Sequence, residues 1–177
     1  MPRVWLFAAY FCLVGIAGWA EDPTLDFADQ LPRVPPVEAA DALPTFVVAP
    51  GYQMQLAASE PLVTDPVAMA FDEFGRLFVV EMRGYSEQGD EHLGSVRRLS
   101  DDNHDGHFDR STVFIDNLAW PTGVCCFDGG VFVAVAPDIL YCQDTDGDGR
   151  ADVREIVFTG FGRSNVQGLL NSLEWGL

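Results

Sequence analysis

The stretch Pro66-Val-Ala-Met-Ala-Phe-Asp-Glu-Phe-Gly-Arg-Leu-Phe-Val-Val80 has a second copy later in the chain, Pro121-Thr-Gly-Val-Cys-Cys-Phe-Asp-Gly-Gly-Val-Phe-Val-Ala-Val135. In each copy two runs of apolar, β-branched and aromatic residues flank an Asp/Gly turn. This pattern is typical of two antiparallel strands joined by a tight connection. A unit that recurs in one chain predicts a fold assembled from similar parts.

Each copy is followed by a connector, a further strand-like run, an acidic hairpin and a last strand-like run, so that the whole unit contains four strands. Units of about 40–50 residues with four strands are typical of β-propeller blades, which bury their faces by stacking on neighbouring blades. The sequence therefore predicts an all-β chain that forms part of a β-propeller. Residues 45–177 would provide about two four-stranded blades, and Asn171–Leu177 would begin a third.

A closed propeller ring requires at least four blades, which is more than residues 45–177 can supply. We therefore expect the chain to be the N-terminal part of a longer propeller. The remaining blades would be its first partners. The first unit also carries additional residues between Arg83 and Gly94.

The second acidic hairpin reads Asp144-Thr-Asp-Gly-Asp-Gly-Arg-Ala-Asp-Val-Arg-Glu155, with oxygen-bearing side chains at positions 1, 3, 5, 9 and 12 of a twelve-residue calcium loop. Gly149 at position 6 permits the sharp turn, and position 7 offers a backbone carbonyl. The flanking runs are strand-like, so the loop would close a β-hairpin instead of joining two helices. The alternative is a solvated acidic turn without an ion. The predicted ligands are Asp144, Asp146, Asp148, Arg150, Asp152 and Glu155.

The first acidic hairpin follows the same spacing with a weaker set of ligands. Its position 6 is Gly106, and its position 12 is Thr112, which cannot replace a bidentate glutamate. We therefore expect this loop to bind calcium less tightly than the second. The predicted ligands are Asp101, Asn103, Asp105, His107 and Asp109.

The first 44 residues differ in character from the repeated units. Residues 1–20 carry Arg3, an apolar run and small residues before Glu21, which is the pattern of a secretory signal peptide. An uncleaved membrane anchor is the alternative. Residues 21–44 are rich in proline and predict a linker. After it, Phe46–Leu56 predicts a strand, a turn at Pro50–Gly51 and a second strand with alternating apolar residues.

The overall charge limits the range of partners. The chain has 177 residues and a formal net charge of −17, and all its basic residues are arginines. Such an acidic chain is not expected to bind nucleic acid, whose phosphates it would repel. Together with the signal peptide, the composition predicts an exported protein, periplasmic or at the cell surface, where it could be associated with the membrane.

Export would leave Cys125, Cys126 and Cys142 in an oxidising compartment. A disulfide from one of the first two to Cys142 is one interpretation, and three buried thiols that act as small apolar side chains is the other. No Cys-x-x-Cys-His motif is present, so this chain does not itself attach a c-type haem.

Seven stretches distributed over nearly all of the chain after the linker are distinctive. They are Pro50-Gly-Tyr, Glu60-Pro-Leu-Val, Asp65-Pro-Val-Ala-Met-Ala-Phe-Asp, Gly75-Arg-Leu-Phe-Val-Val-Glu-Met-Arg-Gly-Tyr85, Trp120-Pro-Thr-Gly, Asp144-Thr-Asp-Gly-Asp-Gly and Asn165-Val-Gln-Gly-Leu-Leu-Asn-Ser-Leu-Glu-Trp-Gly. Together they resemble the N-terminal domain of the membrane-bound dehydrogenase family of PVC-group bacteria. The domain of that family is similar to the propellers of soluble glucose and sorbosone dehydrogenases.

The resemblance implies calcium as a cofactor, pyrroloquinoline quinone as a second cofactor of the full-length protein, a c-type haem domain as partner and a carbohydrate substrate. It does not identify a catalytic base, because Gly168 stands where a histidine would be expected. The residues themselves suggest one polar cluster, Glu81, Arg83 and Tyr85, just after a predicted inner strand, where side chains can face the mouth of a propeller. The alternative is an exposed loop with a local Glu81–Arg83 contact.

Three hypotheses of function follow from the sequence. The chain could be the N-terminal part of an exported sugar or alcohol dehydrogenase that passes electrons to a haem domain. It could instead be a calcium-dependent propeller that binds a glycan or a protein without catalysis. The third hypothesis is a fragment without a function of its own.

Overall fold

The computed structural model describes residues 33–176. The chain divides into two compact units, Met1–Val37 and Glu38–Leu177. Of the first unit only residues 33–37 are described, and they are exposed and lack regular secondary structure. The predicted signal peptide and residues 21–32 of the predicted linker lie outside the described residues.

The second unit consists mainly of two four-stranded antiparallel sheets, in which spatial order follows chain order. The prediction of an all-β fold with four strands per repeat is confirmed at this level. The helical elements are α1 (Ala39–Ala42) and three short 3-10 turns at Leu43–Thr45, Gly89–Glu91 and Val166–Gly168. The first sheet contains β1 (Pro66–Phe71), β2 (Leu77–Glu81), β3 (Gly94–Ser100) and β4 (Arg110–Leu118), and the second contains β5 (Gly123–Phe127), β6 (Gly130–Val135), β7 (Asp138–Gln143) and β8 (Val153–Thr159).

The repeated stretch forms the first hairpin of each sheet, but the two turns differ in length. Phe71 pairs with Leu77 across a longer turn, in which Asp72 accepts hydrogen bonds from the backbone N–H of Phe74 and of Arg76, both at 2.9 Å. In the second copy Phe127 pairs directly with Gly130. Leu77 in turn pairs with Leu99 of β3, and Gly130 pairs with Gln143 of β7, so Phe127 lies one residue nearer to its acidic loop than Phe71 does.

One apolar core lies between the two sheets. Phe78 and Phe114 of the first sheet meet edge to face with ring centroids 5.0 Å apart, and they pack against Val131 and Val133 of the second, which are fully buried. Burying one such side chain contributes roughly 1.5–3 kcal/mol. A smaller cluster of Leu77, Val79 and Leu99 lies on the opposite face of the first sheet.

The strands predicted within Phe46–Leu56 are not present, although the turn at Pro50–Gly51 is. Apolar alternation predicts an extended segment, but a strand also requires a sheet edge with which to pair, and this segment has none among the described residues. As a result Tyr52 is 78% exposed. The predicted third unit likewise forms no strand in residues 171–176, where the Trp175 ring instead packs on Phe127 with centroids 5.5 Å apart.

Candidate metal centre

The loop between β7 and β8 brings three carboxylates together. Asp144, Asp146 and Asp148 each present an oxygen within 4.8 Å of the others, and no second group of this kind occurs in residues 33–176. Gly147 and Gly149 have φ of +84° and +96°, which is the left-handed region that glycine adopts without strain. These two glycines fold the loop tightly enough for the alternating aspartates to face one point.

Backbone N–H groups fix the orientation of the three carboxylates. Asp144 accepts from Gly147 at 2.7 Å and from Gly149 at 2.9 Å. Asp146 and Asp148 each accept one N–H from within the loop. A carboxylate has about four acceptor positions, so each aspartate keeps acceptor capacity for a cation.

An arginine from the first sheet contacts this loop. Arg98 of β3 places Nη1 3.0 Å from Oδ2 of Asp144, with the two side chains only 15% and 8% exposed. Burial acts to raise the pKa of Asp144, but the N–H groups of Gly147 and Gly149 and the arginine outweigh it, so the pKa lies below its usual value. A Cβ at Gly149 would lie 2.6 Å from Arg98 Nη2. The loop is therefore joined to the first sheet by an ion pair that requires a glycine beside it.

The sequence alone does not indicate a role for Arg98. The only feature of the sequence that points to Arg98 is its place in a strand-like stretch, at a position whose side chain faces the next repeat. Its partner lies 46 residues further along the chain, and no local pattern indicates that pairing.

The loop between β3 and β4 repeats the hydrogen bonds of the second loop position by position. In both loops the side chain at position 1 accepts from the N–H of position 6, position 3 from position 5, position 5 from position 7, and position 9 from position 2. In the first loop the donor–acceptor pairs are Gly106–Asp101 at 2.9 Å, Asp105–Asn103 at 2.9 Å, His107–Asp105 at 2.8 Å and Asp102–Asp109 at 2.9 Å. In the second they are Gly149–Asp144 at 2.9 Å, Asp148–Asp146 at 3.1 Å, Arg150–Asp148 at 2.7 Å and Thr145–Asp152 at 3.2 Å.

The two loops differ in their ligands and partners. Asn103 stands at position 3 of the first loop, so that loop lacks the third acidic group that the second brings together. The N–H of Gly106 lowers the pKa of Asp101. That carboxylate forms no ion pair with an arginine among residues 33–176. The first loop thus has the shape of the second, with one carboxylate fewer at positions 1, 3 and 5.

Positions 9 and 12 lie apart from the three converging aspartates. Asp152 accepts from the N–H and the hydroxyl of Thr145, and Glu155 lies in β8 opposite Tyr141. Thr112, at position 12 of the first loop, lies in β4 opposite Arg98. Its methyl group lies 3.2 Å from a Cβ placed at Gly149 of the second loop. Because position 12 of each loop pairs with a neighbouring strand, it belongs to the sheet.

The structure does not bring Glu81, Arg83 and Tyr85 together in one polar cluster. Glu81 is fully buried and accepts from Thr64 N–H at 2.8 Å, Ser95 Oγ at 2.7 Å and Arg97 Nε at 3.0 Å. Arg83 is 43% exposed, with its nearest nitrogen 3.9 Å from Glu81. The three hydrogen bonds join Glu81 to β3 and to the segment before β1, which indicates a structural role for this carboxylate.

Tyr85 lies at a different place from the buried carboxylate. It is 53% exposed and lines a cavity of about 550 Å³ together with Asp65, Pro66, Val67, Met82 and Gly84. The three residues are close in the chain, but only Glu81 belongs to β2. Arg83 and Tyr85 lie in the turn that follows, where Gly84 has φ of +79°, and this turn separates Tyr85 from the carboxylate.

Of the two interpretations of the cysteines, the disulfide to Cys142 does not fit the structure. Cys126 of β5 and Cys142 of β7 both pair with Val131 of β6, one from each side, so a whole strand separates them. Two strand spacings of about 4.8 Å place their Cα atoms beyond the reach of a disulfide. Cys125 points to the opposite face. The three thiols are free, and the interpretation as small apolar side chains is the one that fits.

We expect the three thiols to react with iodoacetamide at very different rates. Burial raises the pKa of Cys126 to about 12 and that of Cys142 to about 11, and Cys142 is also inaccessible to solvent. Because the thiolate is the nucleophile, Cys125 should be alkylated first in the native protein at pH 8. Peptide mass spectrometry measures the order, and urea should abolish the differences. Early labelling of Cys142 in the native protein would contradict this packing.

Comparison with known proteins places the chain in one family. Residues 38–177 match the family described as "Domain of unknown function (DUF7133)", and the chain belongs to it. No curated protein matches the chain. Among residues 33–176, no helix is long and apolar enough to cross a membrane.

Proposed function

We propose that this chain is a calcium-stabilised part of a β-propeller in an exported protein, with two of its blades in the two sheets. The observation that carries the proposal is the convergence of Asp144, Asp146 and Asp148 within 4.8 Å in a loop that also contacts the neighbouring sheet. On this proposal the ion has a structural role. It would hold together a loop on which the packing of the two sheets depends.

The donor set fits calcium. Carboxylate and carbonyl oxygens are the ligands that this hard cation prefers, and the loop offers no nitrogen or sulfur ligand. Asp144, Asp146 and Asp148 would hold the ion, and the ion would offset the repulsion between them. Arg98 already offsets part of the charge of Asp144, which should make the site moderate in affinity.

The test is a calcium titration of the chain after removal of bound ions. We expect Asp146→Asn to weaken calcium binding at least tenfold, because it removes a charged ligand and keeps an acceptor for the Asp148 N–H. The matched substitution Asn103→Ala, at the same position of the first loop, should change the tighter binding step by less than twofold. Isothermal titration calorimetry gives both values, and equal effects of the two substitutions would contradict the assignment.

A second proposal concerns the whole protein, for which the family resemblance implies a dehydrogenase with pyrroloquinoline quinone, a haem partner and a sugar or alcohol substrate. One observation favours it. The first strand of each sheet, β1 and β5, borders a cavity of about 540 Å³, and its polar lining includes Thr122, Gln167, Asn171 and Glu174. On the propeller proposal these would be the innermost strands, and a propeller binds its ligand beside the innermost strands.

We expect dye-linked oxidation of glucose to be undetectable with the 177-residue chain, even with pyrroloquinoline quinone and calcium added. The reason is that a central site draws on more blades than two. The same assay on a chain that completes the propeller should show activity that Asn171→Ala reduces and Glu73→Gln, in an exposed turn, leaves unchanged. Turnover by the 177-residue chain alone would contradict the expectation.

A further inference from the structure

The first sheet has an apolar face that the second sheet does not cover. Met69 and Phe71 of β1 are 69% and 61% exposed there. Beside them lies an apolar cavity of about 380 Å³, lined in part by Ala57, Val67 and Leu77. The corresponding face of the second sheet carries Val131, Val133 and Cys142 and is buried against the first sheet. The uncovered face is therefore the place where a preceding sheet would pack if the stacking were continued.

One segment of this chain already makes a contact that a strand of such a preceding sheet would make. At position 8 of the second loop the N–H of Ala151 donates to the carbonyl of Phe114 in β4, at 2.8 Å. At position 8 of the first loop the N–H of Phe108 donates to the carbonyl of Ala57, at 3.2 Å. Ala57 thus makes to the first loop the contact that the outermost strand β4 makes to the second.

Position 7 of each loop contacts the same segment as position 8 does. His107, at position 7 of the first loop, contacts the carbonyl of Leu56 through Nδ1 at 2.9 Å. Arg150, at position 7 of the second loop, contacts Asp116 of β4 at 3.2 Å. Ala58, the residue after Ala57, packs on the cluster of Leu77, Val79 and Leu99, just as Ile115, the residue after Phe114, packs in the core between the sheets.

The uncovered face lacks the contacts that the first three strands of a neighbouring sheet would make. Arg98, which binds Asp144, comes from the third strand of the neighbouring sheet, and no arginine binds Asp101 among the described residues. The apolar cavity lies where the side chains of a neighbouring first and second strand would pack. Ala57 and Ala58 thus take the place of the fourth strand of a neighbouring sheet. Among the described residues, nothing takes the place of its first three strands.

We propose that residues 52–58 serve as the outermost strand of a neighbouring sheet, and that the open face receives a three-stranded antiparallel sheet lacking its own fourth strand. Tyr52, Met54 and Leu56 supply the alternation that such a strand requires. A complete four-stranded sheet, such as β5–β8 of a second copy, is excluded because its outermost strand needs the space that residues 52–58 occupy. The segment therefore selects its partner and blocks head-to-tail association of identical chains.

The first experiment removes the segment. We expect the chain lacking residues 46–57 to self-associate with an apparent Kd at least tenfold lower than that of the unchanged chain, because the β5–β8 sheet of one copy can then pack on the open face of the next. Such a head-to-tail contact does not close and forms open-ended oligomers. Sedimentation velocity over a range of concentrations measures this.

Adding Met69→Glu to the deletion should reverse the self-association, because the charge lies on the open face. Leu93→Glu, which replaces a 39% exposed leucine outside that face, should not. Unchanged self-association after the deletion, or equal effects of the two glutamates, would overturn the proposal. The proposal rests on how the sheets pack and not on calcium, so the calcium titration can fail without affecting it.

The second experiment provides a three-stranded partner. In the full chain, Arg154→Pro with Ile156→Pro should release β8 from β7, since proline cannot donate to the ladder. We expect this variant to bind the unchanged chain at least tenfold more tightly than the unchanged chain binds itself, as measured by biolayer interferometry. Gly162→Pro with Ser164→Pro, beyond β8, is the control. No gain over that control would overturn the proposal.

Discussion

Substituting Glu81 by leucine is expected to lower the free energy of unfolding by about 3–5 kcal/mol, which is the usual effect of removing one partner of a buried ion pair. The carboxylate is fully buried and receives hydrogen bonds from Thr64, Ser95 and Arg97. The substitution leaves these donors without their acceptor. Urea denaturation followed by fluorescence measures the loss as a lower midpoint.

Two variants separate this explanation from a general intolerance of substitution. Glu81→Leu combined with Arg97→Met should recover part of the loss, because the arginine is then no longer left without its partner. Glu73→Leu, in an exposed turn, should leave the midpoint nearly unchanged. If the double variant were less stable than Glu81→Leu alone, the ion pair would not be the source of the effect.

Substituting Asp144 by alanine is expected to lower the free energy of unfolding by about 3 kcal/mol in the absence of calcium, and to abolish stabilisation by calcium. The substitution removes the ion pair with Arg98, at 3.0 Å and largely buried, and the acceptor of two backbone N–H groups. Thermal unfolding with calcium and with a chelator measures both effects. Asp101→Ala is the matched control and should have a much smaller effect, because no arginine of residues 33–176 forms an ion pair with that carboxylate.

The pH dependence of the Asp144 contribution has a definite sign. The pKa of Asp144 in the folded state lies below its usual value, so its stabilising contribution is present at neutral pH. It is lost as the pH falls below about 4, the usual aspartate pKa, and through the folded-state value. The stability difference between the unchanged chain and Asp144→Ala should therefore narrow in that range. A difference that stayed constant down to pH 2 would contradict the role assigned to this carboxylate.

The sequence predicts the local elements well because their causes are local. Alternation and turn residues locate the strands of the two repeats, and the spacing of aspartates and glycines locates both acidic loops. Contacts that join distant segments were not predictable in the same way. The arginine beside Asp144 and the three donors around Glu81 belong to other segments of the chain, and strand register decides that Thr112 and Glu155 lie in the sheets. For Phe46–Leu56 the pattern indicated a strand but could not indicate its partner.

The contact between Ala151 and Phe114 has a consequence for the order in which the chain folds. The second loop docks on β4, a strand that the ribosome completes before that loop is made, and the first loop docks in the same direction on Ala57. The segment on which each loop docks is therefore synthesised before the loop, and the docking does not require later residues. Folding can thus proceed from the N-terminus, one repeat at a time, which limits how long an unpaired sheet edge is exposed to aggregation.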